Sequence, residues 1–146
     1  MSTFYGTEVC AIDAKGRLNV PARMRRGLDP EANDTFLMVR GFDGCVNLYP
    51  LDEWRKYTER LRALSVGDEN ARNFQRILLG SAQEAVLDSQ GRINLTDSAM
   101  ATAGIEKDAR LIGTFDHIEI WNIKKYDALS KAATPNFEDM ARKLFT

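Results

Sequence analysis

The sequence predicts an α+β fold: two duplicated β-rich half-units, a helical pair inserted between them and a helical tail at the C-terminus. Three observations predict it. Asp13-Ala-Lys-Gly-Arg-Leu-Asn-Val20 returns 75 residues later as Asp88-Ser-Gln-Gly-Arg-Ile-Asn-Leu95, with four of eight positions identical. Phe42-Asp43 is answered by Phe115-Asp116; after a slip of one residue, Val46, Leu48, Tyr49 and Trp54 are answered by Ile118, Ile120, Trp121 and Tyr126. Matches in one order at nearly one offset mark a duplicated unit. Finally, short alternating runs lie within the units, whereas apolar stripes at helical spacing lie between and after them.

Each element has a local reason. Glu8–Ile12 and Leu18–Val20 are short strand-forming runs split by Asp13-Ala-Lys-Gly-Arg17, which reads as a hairpin or tight bend with Gly16, and later Gly91, at positive φ. A short helix follows over about Ala22–Arg26 and ends at Gly27; in the second unit Thr96 or Asp97 caps a helix that Gly104 ends. Strands Phe36–Arg40 and Cys45–Tyr49, joined by Gly41-Phe-Asp-Gly44, have counterparts in Arg110–Thr114 and Ile118–Asn122. In Asp52–Leu64, residues Trp54, Tyr57 (or Thr58), Leu61 and Leu64 form a helical stripe. Asp68 caps a second helix to Leu79, with Ala71, Phe74 and Leu78 on one face and Gly80 at its end. Ile123–Ala133 repeats the first of these helices; Pro135 stops it, and Asn136 caps a last helix bearing Phe137, Met140 and Leu144.

The composition excludes several classes of function. At 146 residues, 44% apolar and 28% charged, the chain is one ordinary soluble globular domain. No apolar run is long enough to span a membrane, and no signal peptide opens the chain. Cys10 and Cys45 are too few and too isolated for a disulfide framework, so a reduced, cytoplasmic setting is expected. His117 has no second His or nearby Cys with which to share zinc, and it reads as an outward strand residue; no metal and no cofactor is implied. No Gly-x-Ser-x-Gly elbow or phosphate-cradling loop is present, and Asp13 and Asp88, each with an Arg nearby, do not read as an acid–base dyad. Nothing marks an enzyme, and no small-molecule substrate is evident.

The charge is segregated. The whole chain carries −1, but residues 14–28 hold Lys15, Arg17, Arg23, Arg25 and Arg26 and no acid. That stretch is +5, so the other 131 residues carry −6. Like charges at this density call for an anionic partner, so these five residues are the candidate DNA contacts. Asp13, Gly16, Asp88, Gly91 and Arg92 read as structural parts of the motif: Asp accepts backbone N–H groups in the turn, and Arg pairs with an acid across the duplicate interface. A competing reading is a helix-turn-helix in 52–79, with Arg72 and Arg76 on its second helix; the plain alternative is a helical hairpin with solvated charge. A structural or protein-interaction assembly without DNA binding is a further alternative.

Asp-x-Lys-Gly-Arg-Leu-x-Val-Pro at 13–21, Leu-Tyr-Pro-Leu-x-Glu-Trp at 48–54, Arg-x-Leu-Leu-Gly at 76–80 and Asp-x-x-Gly-Arg-Ile at 88–93 together resemble the bacterial MraZ family, in order over Phe4 to Tyr126. The resemblance implies two SpoVT-AbrB-like repeats, at 4–54 and 81–126, with a helical connection at 55–80 and a helical tail at 127–146. It further implies a cytoplasmic, nucleoid-associated transcriptional regulator of the division and cell-wall gene cluster. Such a regulator binds repeated short boxes in double-stranded promoter DNA as a closed homo-oligomeric ring. The second copy departs from the first: Gln90 stands for Lys15, Thr96 for Pro21 and Ser98–Ala101 for Arg23–Arg26, and residues 89–103 net to zero. The first repeat is therefore expected to supply most DNA contact, and the second chiefly to complete the fold and the oligomer.

Overall fold

A computed structural model describes residues 1–146. Eight strands and six α-helices follow in the order β1 (Thr7–Ala11), β2 (Arg17–Asn19), α1 (Ala22–Arg25), β3 (Thr35–Arg40), β4 (Val46–Pro50), α2 (Leu51–Arg62), α3 (Glu69–Gly80), β5 (Gln83–Val86), β6 (Arg92–Asn94), α4 (Asp97–Ala103), β7 (Asp108–Gly113), β8 (Ile118–Trp121), α5 (Ile123–Ala133) and α6 (Phe137–Phe145). The fold is α+β and duplicated, with every ladder antiparallel.

The repeats interleave. Six strands form one sheet in the order β1-β7-β8-β4-β3-β5, while β2 and β6 form a separate two-stranded ribbon. Exchanging the repeats turns β1 into β5, β3 into β7 and β4 into β8, and leaves the order unchanged. An approximate two-fold axis therefore passes between β4 and β8, where Val46 faces Ile120 and Leu48 faces Ile118. It also passes through the centre of the ribbon, where Leu18 faces Ile93.

This pairing corrects the expected hairpin. The bend at 13–16 forms, but β1 leaves to pair with β7, and β2 pairs with β6; only the single bridge Ile12–Leu18 joins the two arms. A three-residue arm offers too few hydrogen bonds to hold a hairpin alone. The same arm in the other repeat supplies a partner of matching length and pattern.

Alternation sorts the sheet into two faces. One face sends Phe36, Met38, Val46, Leu48, Leu111, Ile118 and Ile120 into the main core, where Leu18 and Ile93 from the ribbon and Met24 from α1 meet them, all 3% exposed or less. Each such side chain contributes about 1.5–3 kcal/mol of burial. The opposite face is covered by helices: Leu37, Val39 and Tyr49 pack under Trp54 and Leu61 of α2 and Leu78 of α3. A smaller cluster of Cys45, Ile112 and Trp121 lies against Tyr126 of α5.

The helix ends follow the sequence except at the tail. Asp68 accepts from the N–H groups of Asn70 and Ala71, Thr96 accepts from that of Ala99, and Gly104 closes α4 in the left-handed conformation. The helix α5 ends at Ala133, ahead of Pro135, but Asn136 makes no side-chain cap. Pro135 sits in a 3-10 turn, Thr134–Asn136, that carries α5 into α6, because the missing N–H of a first-turn proline costs nothing there. On α6, Phe137 and Leu144 stay at least 70% exposed.

Candidate nucleic-acid interface

The ribbon lies on the core side of the sheet and presents its own outer face to solvent. Leu18 and Ile93 point inward at 0% and 1% exposure. By strand alternation Arg17, Asn19, Arg92 and Asn94 point outward. The register sets Arg17 across from Asn94 and Asn19 across from Arg92. One compact face thus carries two guanidinium and two carboxamide groups, one of each from each repeat. Asn19 and Asn94 were absent from the candidate contacts, although their identity in the duplicated octapeptide was the available signal.

Each arginine is held by its own turn. Asp13 Oδ1 accepts the backbone N–H groups of Lys15 and Arg17, both at 2.9 Å, and Oδ2 accepts Arg17 Nε at 2.7 Å. Asp88 repeats this with Gln90 N at 2.8 Å, Arg92 N at 2.9 Å and Arg92 Nε at 2.8 Å. The sequence reading set these arginines against an acid across the duplicate interface; each pairs instead with the aspartate of its own motif. The backbone N–H of the arginine, then its side chain, hold both carboxyls below the usual aspartate range. Both ion pairs use only Nε. The terminal nitrogens are left as an oriented fork, which suits a phosphate or a guanine edge.

Gly16 at φ +79° and Gly91 at φ +77° close the two turns, a conformation that a Cβ would strain. The surroundings of the two differ. The Arg25 guanidinium lies against Gly91, where an added Cβ would clash with it, and donates from Nη1 to the Val20 carbonyl at 3.0 Å. At Gly16 an added Cβ would meet only the Leu95 carbonyl, at 3.1 Å. Met100, which stands where Arg25 stands in the first repeat, lines the hollow beside that turn.

The five basic residues of 14–28 thus occupy three situations. Arg17 is oriented by Asp13 on the ribbon face. Arg23 lies over Gly6 and pairs with Glu8 at 3.2 Å, and Arg25 is folded against the other repeat's turn. Lys15 and Arg26 are exposed with no acid partner in the chain. On the helical pair, Arg72 donates to the Val66 carbonyl at 2.9 Å and Arg76 to Asn73 Oδ1 at 3.3 Å. No three His, Cys, Asp or Glu side chains converge to hold a metal ion. No helix is long and apolar enough to cross a membrane.

His117 is not an outward strand residue. It precedes β8, stacks on Tyr49 with ring centroids 4.8 Å apart, and is held between Thr114 Oγ1 at 3.0 Å and Asp116 Oδ1 at 2.7 Å. Burial opposes its charge, but the Glu119 and Asp116 carboxylates outweigh that and raise its pKa above the ordinary value.

Comparison with known proteins identifies a lineage. The family model described as "MraZ protein, putative antitoxin-like" matches twice, at residues 3–77 and 78–146. Two proteins named Transcriptional regulator MraZ, from Natranaerobius thermophilus and Heliobacterium modesticaldum, are each 38% identical to the chain over 97% of its length and 96% of theirs. One of the same name from Lactobacillus johnsonii is 35% identical over the same shares.

Proposed function

The chain belongs to the MraZ family, and from that membership and the face described above we propose that it is a DNA-binding transcriptional regulator, not an enzyme. Its relatives carry the name of transcriptional regulators. The observation that carries the reading is the outer face of the ribbon, with Arg17 and Arg92 each aimed by an aspartate of its own turn and Asn19 and Asn94 beside them. A two-stranded ribbon of this kind fits the major groove, where arginine reads guanine and asparagine reads adenine in bidentate fashion.

In this proposal Lys15, Arg17 and Arg26 carry most of the phosphate and base contact, with Arg23 and Arg25 adding to the positive field. Asp13, Gly16, Asp88, Gly91 and Arg92 shape the two turns, and Arg92 adds the lesser contact of the second repeat. Five cations give modest non-specific affinity through counterion release. A homo-oligomeric ring repeats the face, and repeated boxes at matching spacing turn later contacts into intramolecular ones, raising affinity by orders of magnitude. The uncovered apolar residues of α6 support self-association. The regulated target is the division and cell-wall gene cluster, and the setting is the cytoplasm and nucleoid.

The test is fluorescence anisotropy on a duplex from the chain's own upstream region against a scrambled duplex, at two salt concentrations, with one box and with several. Tight, specific, salt-sensitive binding that strengthens steeply with box number is the expected result. Equal, weak binding to all duplexes would overturn the reading in favour of an assembly that does not bind DNA.

A further inference from the structure

The helix-covered face of the sheet holds a cavity of about 160 Å³ that the ribbon does not share. It opens between the β3–β4 turn and the α2–α3 pair, and continues into a more apolar hollow at Phe42, Phe74 and Ile77. Its walls are aromatic, from Phe42, Tyr49, Tyr57 and Phe74. Asn47 and Glu119, register partners across β4 and β8, project side by side into it.

The cavity holds hydrogen-bonding capacity that the chain itself does not use. Asn47 and Tyr49 are each 8% exposed. The only bond of the Asn47 side chain is a long one, 3.5 Å, from Cys45 Sγ to Oδ1, and the Tyr49 hydroxyl has none. Arg110 Nε is the only sealed side-chain nitrogen or oxygen without a partner, so the Asn47 amide nitrogen and the Tyr49 hydroxyl are open to the cavity. Glu119 gives Oε1 to Trp121 Nε1 at 2.9 Å, while its Oε2 stands 3.8 Å from His117 Nε2, beyond hydrogen-bond reach. Arg40 lies exposed at the rim without an acid partner. The place related to it by the approximate two-fold axis is a buried apolar cluster of Cys45, Ile112 and Trp121. Only one side of the pseudo-symmetric sheet therefore carries an open site.

An amide donor beside a carboxylate acceptor matches a heterocycle edge that offers an acceptor next to donors. Guanine offers O6 beside N1–H and N2–H, and so directs two donors to one carboxylate; adenine and cytosine direct one. Aromatic walls suit the flat purine. We propose that this cavity binds a guanine mononucleotide. O6 accepts from Asn47, N1–H and N2–H donate to Glu119, the base stacks on the aromatic walls, and the phosphate meets Arg40.

The experiment follows the indole N–H of Trp121 by NMR in the full-length chain while GMP, AMP, guanosine and the single strand d(TTGTT) are titrated. Saturable movement with GMP, at least about tenfold weaker with AMP, is the expected result. Glu119→Gln keeps an acceptor for Trp121 but should cost GMP about tenfold or more. Arg40→Gln, a change at an exposed position, should weaken GMP and leave guanosine unchanged, which guards against a loss of fold in the first variant. An unmoved indole at millimolar GMP, or equal responses to GMP and AMP, would overturn the site. Tighter binding of d(TTGTT) than of GMP would overturn the mononucleotide as its occupant.

Discussion

Residues 14–28 and 89–103 build the same turn, strand and helix around one approximate axis, yet the first stretch carries +5 and the second carries zero. What they share is what the backbone needs: an Asp to hold the turn, a Gly at positive φ, an Arg returned to that Asp, and one apolar residue, Leu18 or Ile93, buried beneath. What differs stands largely on the exposed side, at Lys15 against Gln90, Arg23 against Ser98 and Arg26 against Ala101. The comparison teaches that the turn is a scaffold and that charge is added to it. Arg25 against Met100 is the exception, for both approach the glycine turn of the other repeat.

The largest way to break the comparison is on DNA. Arg17→Ala is expected to cost about 100-fold or more in affinity for a multi-box duplex, since a lost contact worth 1–3 kcal/mol is repeated around the oligomer. Arg92→Ala should cost clearly less; equal losses would show the two repeats to be equivalent readers. Next come the buried centres of the ribbon: Leu18→Ala and Ile93→Ala should each lower unfolding free energy by about 2–5 kcal/mol and by similar amounts, as judged by denaturant midpoints. Unequal costs would mean that one arm carries the core.

A smaller effect belongs to the glycines. Gly16→Ala and Gly91→Ala should each cost about 1–2 kcal/mol from the left-handed conformation alone. Only Gly91→Ala should also displace Arg25, a flexible side chain, which NMR of the Arg25 Nε–H would register. The smallest concerns His117, which lies near the junction of the repeats. Its folded pKa is raised, so the stability it contributes is complete below its ordinary value near 6.5 and is lost as pH rises through the higher folded value. The denaturation midpoint should fall slightly as pH rises above about 6.5, and His117→Gln should flatten that slope. Glu119 is shifted downward, burial being outweighed by the nearby His117 ring and the hydrogen bond from Trp121, so its contribution is lost only as pH falls into the acid range.

Much of the fold was legible because its signals are local. The caps at Asp68 and Thr96, the left-handed Gly104 and the strand at 118–121 each follow from a few neighbouring residues. Partner choice is not local. Nothing in Glu8–Ile12 says that it pairs with β7 rather than with β2, because alternation marks a run as a strand without naming its neighbour. The basic segment was legible as charge, but Arg23 and Arg25 turn back onto Glu8 and the Gly91 turn, contacts set by distant parts of the chain. His117 alternates like a surface residue, and its stack on Tyr49 is made by a residue brought beside it across the sheet. The cavity was invisible for the same reason, since Asn47 and Glu119 lie 72 residues apart.

Because β1 joins β7 and β5 joins β3, the chain has the architecture of a dimer of identical halves tied end to end. In an untied dimer every substitution would be made twice, and any change suited to one site would burden its twin. A single chain lifts that obligation. One half could accumulate cations while the other stayed neutral, and one side of the sheet could open a pocket while its image remained packed, without either change being imposed on both.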